Sequence, residues 1–156
     1  CFQFKGRIRR SEYWWGALTV AIASAVLSLI PFVGWVALIF LAIGGISMLF
    51  RRLHDTGRSG WWWGCQTIIG LVAGALFFSA IDFHAYMMAA QSQDATEMMR
   101  VLSAGMTGGA GIFALLLYLV NGALGIVIFV FTLLDSKPEA NKYGESPKYV
   151  VEQTEG

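Results

Sequence analysis

The chain has 156 residues, of which 56% are hydrophobic and 13% are charged, and its formal net charge is +1. A soluble domain spends about a quarter of its residues on charge, so this composition excludes a freely soluble enzyme. The hydrophobicity also excludes a disordered chain, and the small net charge excludes a nucleic-acid binder. The length allows one domain, and the composition indicates a membrane protein.

Four stretches approach the length that a membrane span requires, which is about 20 mostly apolar residues in a helix. The predicted spans cover residues 13–30, 35–50, 61–81 and 109–134. A tight turn joins the first two, because Pro31 stops a helix and Gly34 permits a positive φ. None of the four carries the polar face of a soluble helix. We therefore predict an all-α fold, an integral-membrane four-helix bundle over residues 1–134, followed by a cytoplasmic tail over residues 135–156.

Positive charge lies on one side of these predicted spans. The basic residues before span one, between spans two and three, and after span four are Lys5, Arg7, Arg9, Arg10, Arg51, Arg52, Arg58, Lys137, Lys142 and Lys148. The opposite side carries only Arg100. Because Lys and Arg stay on the cytoplasmic side, both termini are predicted to be cytoplasmic (N-in/C-in). All six tryptophans fall at span ends, where amphipathic rings prefer the headgroup zone.

The long outer loop, residues 82–108, is rich in helix-forming residues. Its apolar side chains share one helical face, which carries Ala95, Met98, Met99, Leu102 and Met106. This spacing predicts a helix that lies in the membrane interface.

Polar residues inside the spans are few, and Asn121 is the one that lies deep in the fourth span. A single intramembrane Asn usually holds helices together, although it can also line a pathway. No charged residue falls at a midplane, which argues against a pump but leaves a small oligomeric channel or transporter open.

Two segments resemble the hallmark stretches of a protein family. They are residues 4–15 (FKGRIRRSEYWW) and 51–62 (RRLHDTGRSGWW), and residues 141–147 (NKYGESP) resemble a third. The family is the YhaH-like group of small bacterial inner-membrane proteins, a domain of unknown function. The resemblance covers essentially the whole chain and implies a four-helix protein of the bacterial inner (plasma) membrane. It implies no established activity, ligand or catalytic residue.

The two segments would converge at the cytoplasmic surface, where guanidinium groups match phosphate oxygens and basic pockets suit anionic lipid headgroups. The predicted anionic lipid or phosphate site comprises Lys5, Arg7, Arg9, Arg10, Arg51, Arg52, His54 and Arg58, with Asp55 and Ser59 as orienting residues. Asp55 is expected to hold an Arg in position, and Ser59 to cap the third span. The alternative is that the basic residues only anchor the topology and that Asp55 only balances an Arg internally. In the tail, Lys142 and Tyr143 are expected to fold back toward this region.

A catalytic role for the His54–Asp55 pair is disfavoured, because adjacent side chains rarely converge and no nucleophile is evidently paired with them. We expect no cofactor, metal site or catalytic residue, and no nucleic-acid partner. The sequence favours a non-catalytic membrane protein that binds anionic membrane lipids or docks a partner, as a homo-oligomer or as an accessory subunit of a larger complex. The alternatives are the small oligomeric channel or transporter and, third, a membrane enzyme that acts on a phosphorylated lipid.

Overall fold

The computed structural model of the chain describes residues 3–30 and 32–149. The helices are α1 (Arg10–Leu27), α2 (Val33–Asp55), α3 (Trp61–Ala80), α4 (Phe83–Gln91), α5 (Ala95–Thr107) and α6 (Gly109–Leu133). Strands are absent from these residues, apart from one isolated bridge between Asn141 and Gly144. The predicted all-α class is therefore confirmed. Pro31 of the predicted turn and residues 150–156 of the predicted tail lie outside the described residues.

Three of the described helices are long and apolar enough to cross a membrane: α2 from Gly34, then α3 and α6. Helix α1 is not among them, because its first turn carries Arg10 and Glu12 and shortens its apolar stretch. The first predicted span, the four-helix bundle and the N-in/C-in topology thus remain predictions.

The chain divides into two compact units, and the first comprises residues 1–63 and 128–156. Its main element is the hairpin of α1 and α2, in which Gly16 meets Met48 near one end and Leu27 meets Gly34 near the other. A Cβ atom on Gly34 would lie 2.0 Å from the Leu27 carbonyl oxygen, so only glycine permits this approach. Phe32 precedes α2 with a positive φ of 59°.

Helix α2 continues five residues beyond the predicted end of the second span, because its termination depends on a glycine and not on the first charge. Gly57 has a φ of 78°. Its N–H donates to the His54 carbonyl oxygen at 2.9 Å, and the Arg58 N–H donates to that of Leu53 at 2.8 Å. These two bonds form a Schellman motif, which satisfies carbonyls at the helix C-terminus. Residues 51–55 are therefore helical.

The second unit comprises residues 64–127. Within it, the Gln66 side chain donates a long, 3.5 Å hydrogen bond to the Asn121 carbonyl oxygen, linking α3 to α6. A Cβ atom on Gly70 would lie 3.2 Å from the Asn121 Nδ2 atom. This contact supports the interpretation of Asn121 as a helix-packing residue.

The outer loop forms two helices, α4 and α5, where the sequence predicted one. Each has its own aspartate N-cap: Asp82 accepts from the Ala85 N–H at 2.9 Å, and Asp94 accepts from the Thr96 N–H at 2.9 Å. Both caps satisfy backbone donors that a helix start leaves free. The helix predicted around residues 95–106 is confirmed as α5, in which Met99 and Met106 are exposed. Its placement in a membrane interface stays a prediction.

Replacing Gly57 with alanine tests the end of α2. We expect Gly57→Ala to lower the free energy of unfolding by about 1 to 2 kcal/mol, because an L-residue strains in the left-handed region. The measurement is denaturant or thermal unfolding of the purified protein in detergent. Gly45→Ala is the matched control, because its Cβ atom would meet nothing within 4 Å and alanine favours the helix. An equal loss of stability in both variants would contradict this account.

Candidate functional site

The candidate site lies in the first unit and is built around the carboxylate of Asp55, at the end of α2. Its Oδ1 atom accepts from the Arg7 Nε atom at 3.0 Å. Its Oδ2 atom accepts from the Arg52 guanidinium and from the Ser136 hydroxyl. Asp55 and Arg52 are fully buried, and Arg7 is 7% exposed. We call these four residues the Asp55 cluster.

Arg7 uses its planar fork to bind the C-terminal tail. Its Nη2 atom donates to the carbonyl oxygens of Asp55 at 3.2 Å and Lys137 at 2.6 Å. Its Nη1 atom donates to those of Glu139 at 2.9 Å and Gly144 at 3.2 Å. With the Nε bond to Asp55, all five donors of the guanidinium are engaged. Arg7 therefore has no remaining donor for an external phosphate.

Arg52 is engaged in the same way, but its partners lie mainly at the end of α6. Its Nε atom donates to the Thr132 carbonyl oxygen at 3.2 Å, and its Nη2 atom donates to that of Leu134. Its Nη1 atom also donates to the Ile8 carbonyl oxygen, at 3.3 Å. The last carbonyls of a helix lack internal partners and attract cations, so Arg52 satisfies the C-terminus of α6.

His54 packs against the tail. Its ring stacks on Tyr143 with a centroid distance of 3.7 Å and an interplanar angle of 6°. Its Nδ1 atom lies 3.3 Å from the Gly6 carbonyl oxygen, and its own carbonyl oxygen accepts from the Asn141 Nδ2 atom at 3.0 Å. The fold-back of Tyr143 is therefore observed, and these contacts give His54 a packing role.

The tail forms a tight turn at residues 141–144. The Asn141 N–H donates to the Gly144 carbonyl oxygen at 3.1 Å, and the reverse bond measures 2.9 Å. The Asn141 Oδ1 atom accepts from the Tyr143 N–H at 2.8 Å, and Gly144 has a φ of 124°. The turn aims the Gly144 carbonyl at Arg7.

Two of the predicted site residues are exposed yet partly engaged. Arg9 donates to the Pro147 carbonyl oxygen through Nε, and Arg10 donates to that of Leu133 at 3.3 Å through Nη1. The Arg9 backbone N–H donates to the Glu12 carboxylate at 3.0 Å, which caps α1. Both residues are exposed, and both guanidinium groups keep donors that these bonds do not use.

The remaining predicted cations are Lys5, Arg51 and Arg58. Lys5 is exposed, and Arg51 is half-buried with a buried Nε atom that has no hydrogen-bond partner among the described residues. The Arg58 guanidinium lies 3.8 Å from the centre of the Phe131 ring and donates to the Thr56 carbonyl oxygen at 3.2 Å. These three cations have donors that the Asp55 cluster does not use.

The predicted orienting residues lie at different places. Asp55 holds Arg7 and Arg52 together, whereas the Ser59 hydroxyl accepts from the Trp61 N–H at 3.3 Å, at the start of α3. Sequence reasoning missed Ser136, because a serine that follows a helix carries no signal of a partner 81 residues away.

An exposed ion pair lies within the tail. The Lys148 ammonium group donates to the Asp135 carboxylate. This bond, together with the N–H of Ser136, lowers the pKa of Asp135 below its ordinary value. The same bond raises the pKa of Lys148. Both groups therefore stay charged at neutral pH.

Removing the charge of Asp55 tests the cluster. We expect Asp55→Asn to lower the free energy of unfolding by about 3 to 5 kcal/mol, because two buried guanidinium groups would lose their shared counter-ion. The measurement is equilibrium unfolding of the purified protein in detergent.

The matched control for Asp55→Asn is Glu97→Gln, which removes an exposed pair with Arg100 at 2.9 Å. That change is expected to cost less than about 1 kcal/mol. If Asp55→Asn cost no more than the control, the cluster would not hold the site together.

Comparison with known proteins places this chain in a family. Inner membrane protein YhaH of Escherichia coli (strain K12) is 42% identical over 71 residues, a match that covers 38% of this chain and 59% of that protein. Inner membrane protein YhaI of the same organism is 37% identical over 67 residues, which covers 38% of this chain and 57% of that protein. The chain thus spans less than two thirds of the length of either relative, and no solved structure matches it. A family described as protein of unknown function (DUF805) matches residues 1–145, which confirms the resemblance seen in the sequence, and the chain belongs to that family.

Proposed function

We propose that the chain is a bacterial inner-membrane protein whose basic residues bind anionic phospholipid headgroups at the cytoplasmic surface. Three apolar helices of spanning length support a membrane location, as do the names of the two relatives. We include α1 as a fourth span, with both termini in the cytoplasm. Its exposed apolar side chains, Leu18, Ile22 and Val26, are each about half accessible and suit a lipid environment.

The distribution of charge supports this topology. Every Lys and Arg except Arg100 falls in the first unit, within residues 5–10, 51–58 and 137–148. Basic residues that flank spans remain in the cytoplasm. One side of the membrane would therefore carry nearly all of the positive charge.

The observation that carries the proposal is the sharing of Asp55 by Arg7 and Arg52. This contact holds the two basic segments, residues 4–15 and 51–62, together. Arg7 and Arg52 are bonded within this arrangement, whereas the neighbouring cations keep donors that it does not use. We therefore assign headgroup binding to Lys5, Arg9, Arg10, Arg51 and Arg58, and an organising role to Arg7, Arg52, His54, Asp55 and Ser59.

The competing interpretation is that these cations only fix the topology. Fixing the topology requires enough positive charges but no defined geometry. Here, specific contacts hold several of the charged side chains in place. Arg58 packs on Phe131, and the loop that carries it begins at a glycine with a positive φ. This fixed arrangement suits a binding surface, because fewer side chains have to lose conformational entropy when a lipid or a protein partner binds.

Lipid retention tests the headgroup site. The double variant Lys5→Gln/Arg51→Gln is expected to bind phosphatidylglycerol about ten-fold more weakly or worse, because each basic residue contributes about 1 kcal/mol near an anionic surface. The measurement is native mass spectrometry of the purified protein with graded phosphatidylglycerol or phosphatidylethanolamine.

Arg100→Gln is the control for lipid retention, because it removes a cation from the other side. We expect it to leave retention unchanged. Unaltered phosphatidylglycerol binding in the double variant, or an equal loss in Arg100→Gln, would refute the headgroup site. A protein partner that the double variant no longer captures, with lipid binding intact, would point to docking instead.

Cysteine labelling tests the topology. In a chain with Cys1→Ser and Cys65→Ser, single cysteines are introduced by Gln91→Cys or Lys142→Cys, both at exposed positions. A membrane-impermeant maleimide applied from the periplasm is expected to label Gln91→Cys only. Labelling of Lys142→Cys in intact cells would exclude a cytoplasmic tail, provided that both variants react after the membrane is opened.

A further inference from the structure

An apolar groove of about 630 Å³ lies between α1 and α2. Its lining includes Gly16, Thr19 and Leu27 on α1, and Ala37, Gly44 and Met48 on α2. Gly16 and Leu27 are eleven positions apart on α1, which gives the groove a length of about 16 Å at about 1.5 Å per helical residue.

The groove is apolar along the residues that the structure describes. Among those lining residues Thr19 is the one polar side chain, and its hydroxyl donates to the Trp15 carbonyl oxygen at 2.9 Å. A Cβ atom on Gly44 would meet nothing within 4 Å, so open space lies above the α2 backbone there. A ligand that fits this groove is therefore apolar, and it is narrow enough to lie along the two helices.

Positive charge lies at one end of the groove. The α2 residues that line it recur at helical spacing, and Arg51 follows Met48 after one further turn. The Nε atom of Arg51 is buried and has no hydrogen-bond partner among the described residues. On α1, Gly16 meets Met48, and Arg10 lies less than two turns before Gly16. Both helices therefore bring a guanidinium group to the same end.

From this juxtaposition we infer that the groove holds an acyl chain of the anionic phospholipid whose phosphate binds at Arg51. The inference rests on the proposed headgroup site and extends it into the hydrocarbon. One ligand satisfies both features: a phosphate for the arginine and a hydrocarbon chain for the apolar walls. The groove would then select a membrane lipid over a soluble phosphate.

A second copy of the chain fits the same groove less well. Two copies packed through it about a two-fold axis parallel to the helices would place both copies of Arg51 at the same end of the groove. Like charges repel most strongly where the dielectric constant is low. A phospholipid supplies the opposite charge.

Filling the groove tests the inference. Gly44→Leu places a side chain in the open space, and Gly45→Leu is the matched control, because its Cβ atom also meets nothing within 4 Å but Gly45 does not line the groove. Each full chain is reconstituted in phosphatidylethanolamine vesicles with phosphatidylglycerol that carries a photoactivatable acyl chain. We expect a several-fold loss of cross-linking to groove residues in Gly44→Leu and no loss in Gly45→Leu, at matched thermal stability.

The other outcomes separate this inference from the headgroup site. Undiminished cross-linking in Gly44→Leu would overturn the acyl-chain inference, while headgroup binding that still depends on Lys5 and Arg51 would leave the proposed function standing. Equal cross-linking of phosphatidylglycerol and phosphatidylethanolamine chains, unaffected by Lys5→Gln/Arg51→Gln, would overturn the link to an anionic lipid. A change in dimer content without a change in lipid cross-linking would assign the groove to a second copy.

Discussion

The sharing of one buried carboxylate by two buried guanidinium groups is the interaction on which the first unit depends. A buried charge without a partner costs several kcal/mol, so Arg7 and Arg52 require both Asp55 and the carbonyl oxygens around it. Those oxygens belong to the N-terminal segment, the end of α2, the end of α6 and the tail. Four parts of the chain that are distant in sequence are therefore positioned by one electrostatic requirement.

This requirement divides the basic residues into two groups that sequence alone cannot distinguish. Arg7 and Arg52 are bonded inside the fold, whereas Lys5, Arg9, Arg10, Arg51 and Arg58 keep donors that the Asp55 cluster does not use. The division strengthens the alternative of internal charge balance for the first group and the binding hypothesis for the second. Both uses exploit the same property of arginine, a rigid fork of donors that matches oxygen acceptors.

Much of the fold was predictable because apolar runs and helix-forming composition act locally. The helical class and α5 follow from such patterns, whereas the segment around Asp55 was singled out by its resemblance to a family and by its charges. The end of α2 was not predicted, because the first charge ends an apolar run but Gly57 ends the helix. The separation of α4 from α5 depends on an aspartate cap, Asp94, whose effect is decided by a single side-chain bond.

The site was less predictable for a different reason. Most acceptors of Arg7 and Arg52 are backbone carbonyls, and every residue of the chain carries this group. No residue type marks the Lys137 or Glu139 carbonyl as a partner of a guanidinium 130 or more positions away. The side-chain partners carried more signal: the pairing of Asp55 with an arginine and the fold-back of Tyr143 were both predicted.

The long sequence separation of these partners has a consequence for biosynthesis. Arg7 leaves the ribosome 130 or more residues before the carbonyls that accept three of its five bonds, those of Lys137, Glu139 and Gly144. Until these residues are made, its guanidinium must be solvated by water or held by another factor. The Asp55 cluster can therefore close only once α6 and the turn at residues 141–144 have emerged, so the first unit cannot assemble helix by helix in the order of synthesis.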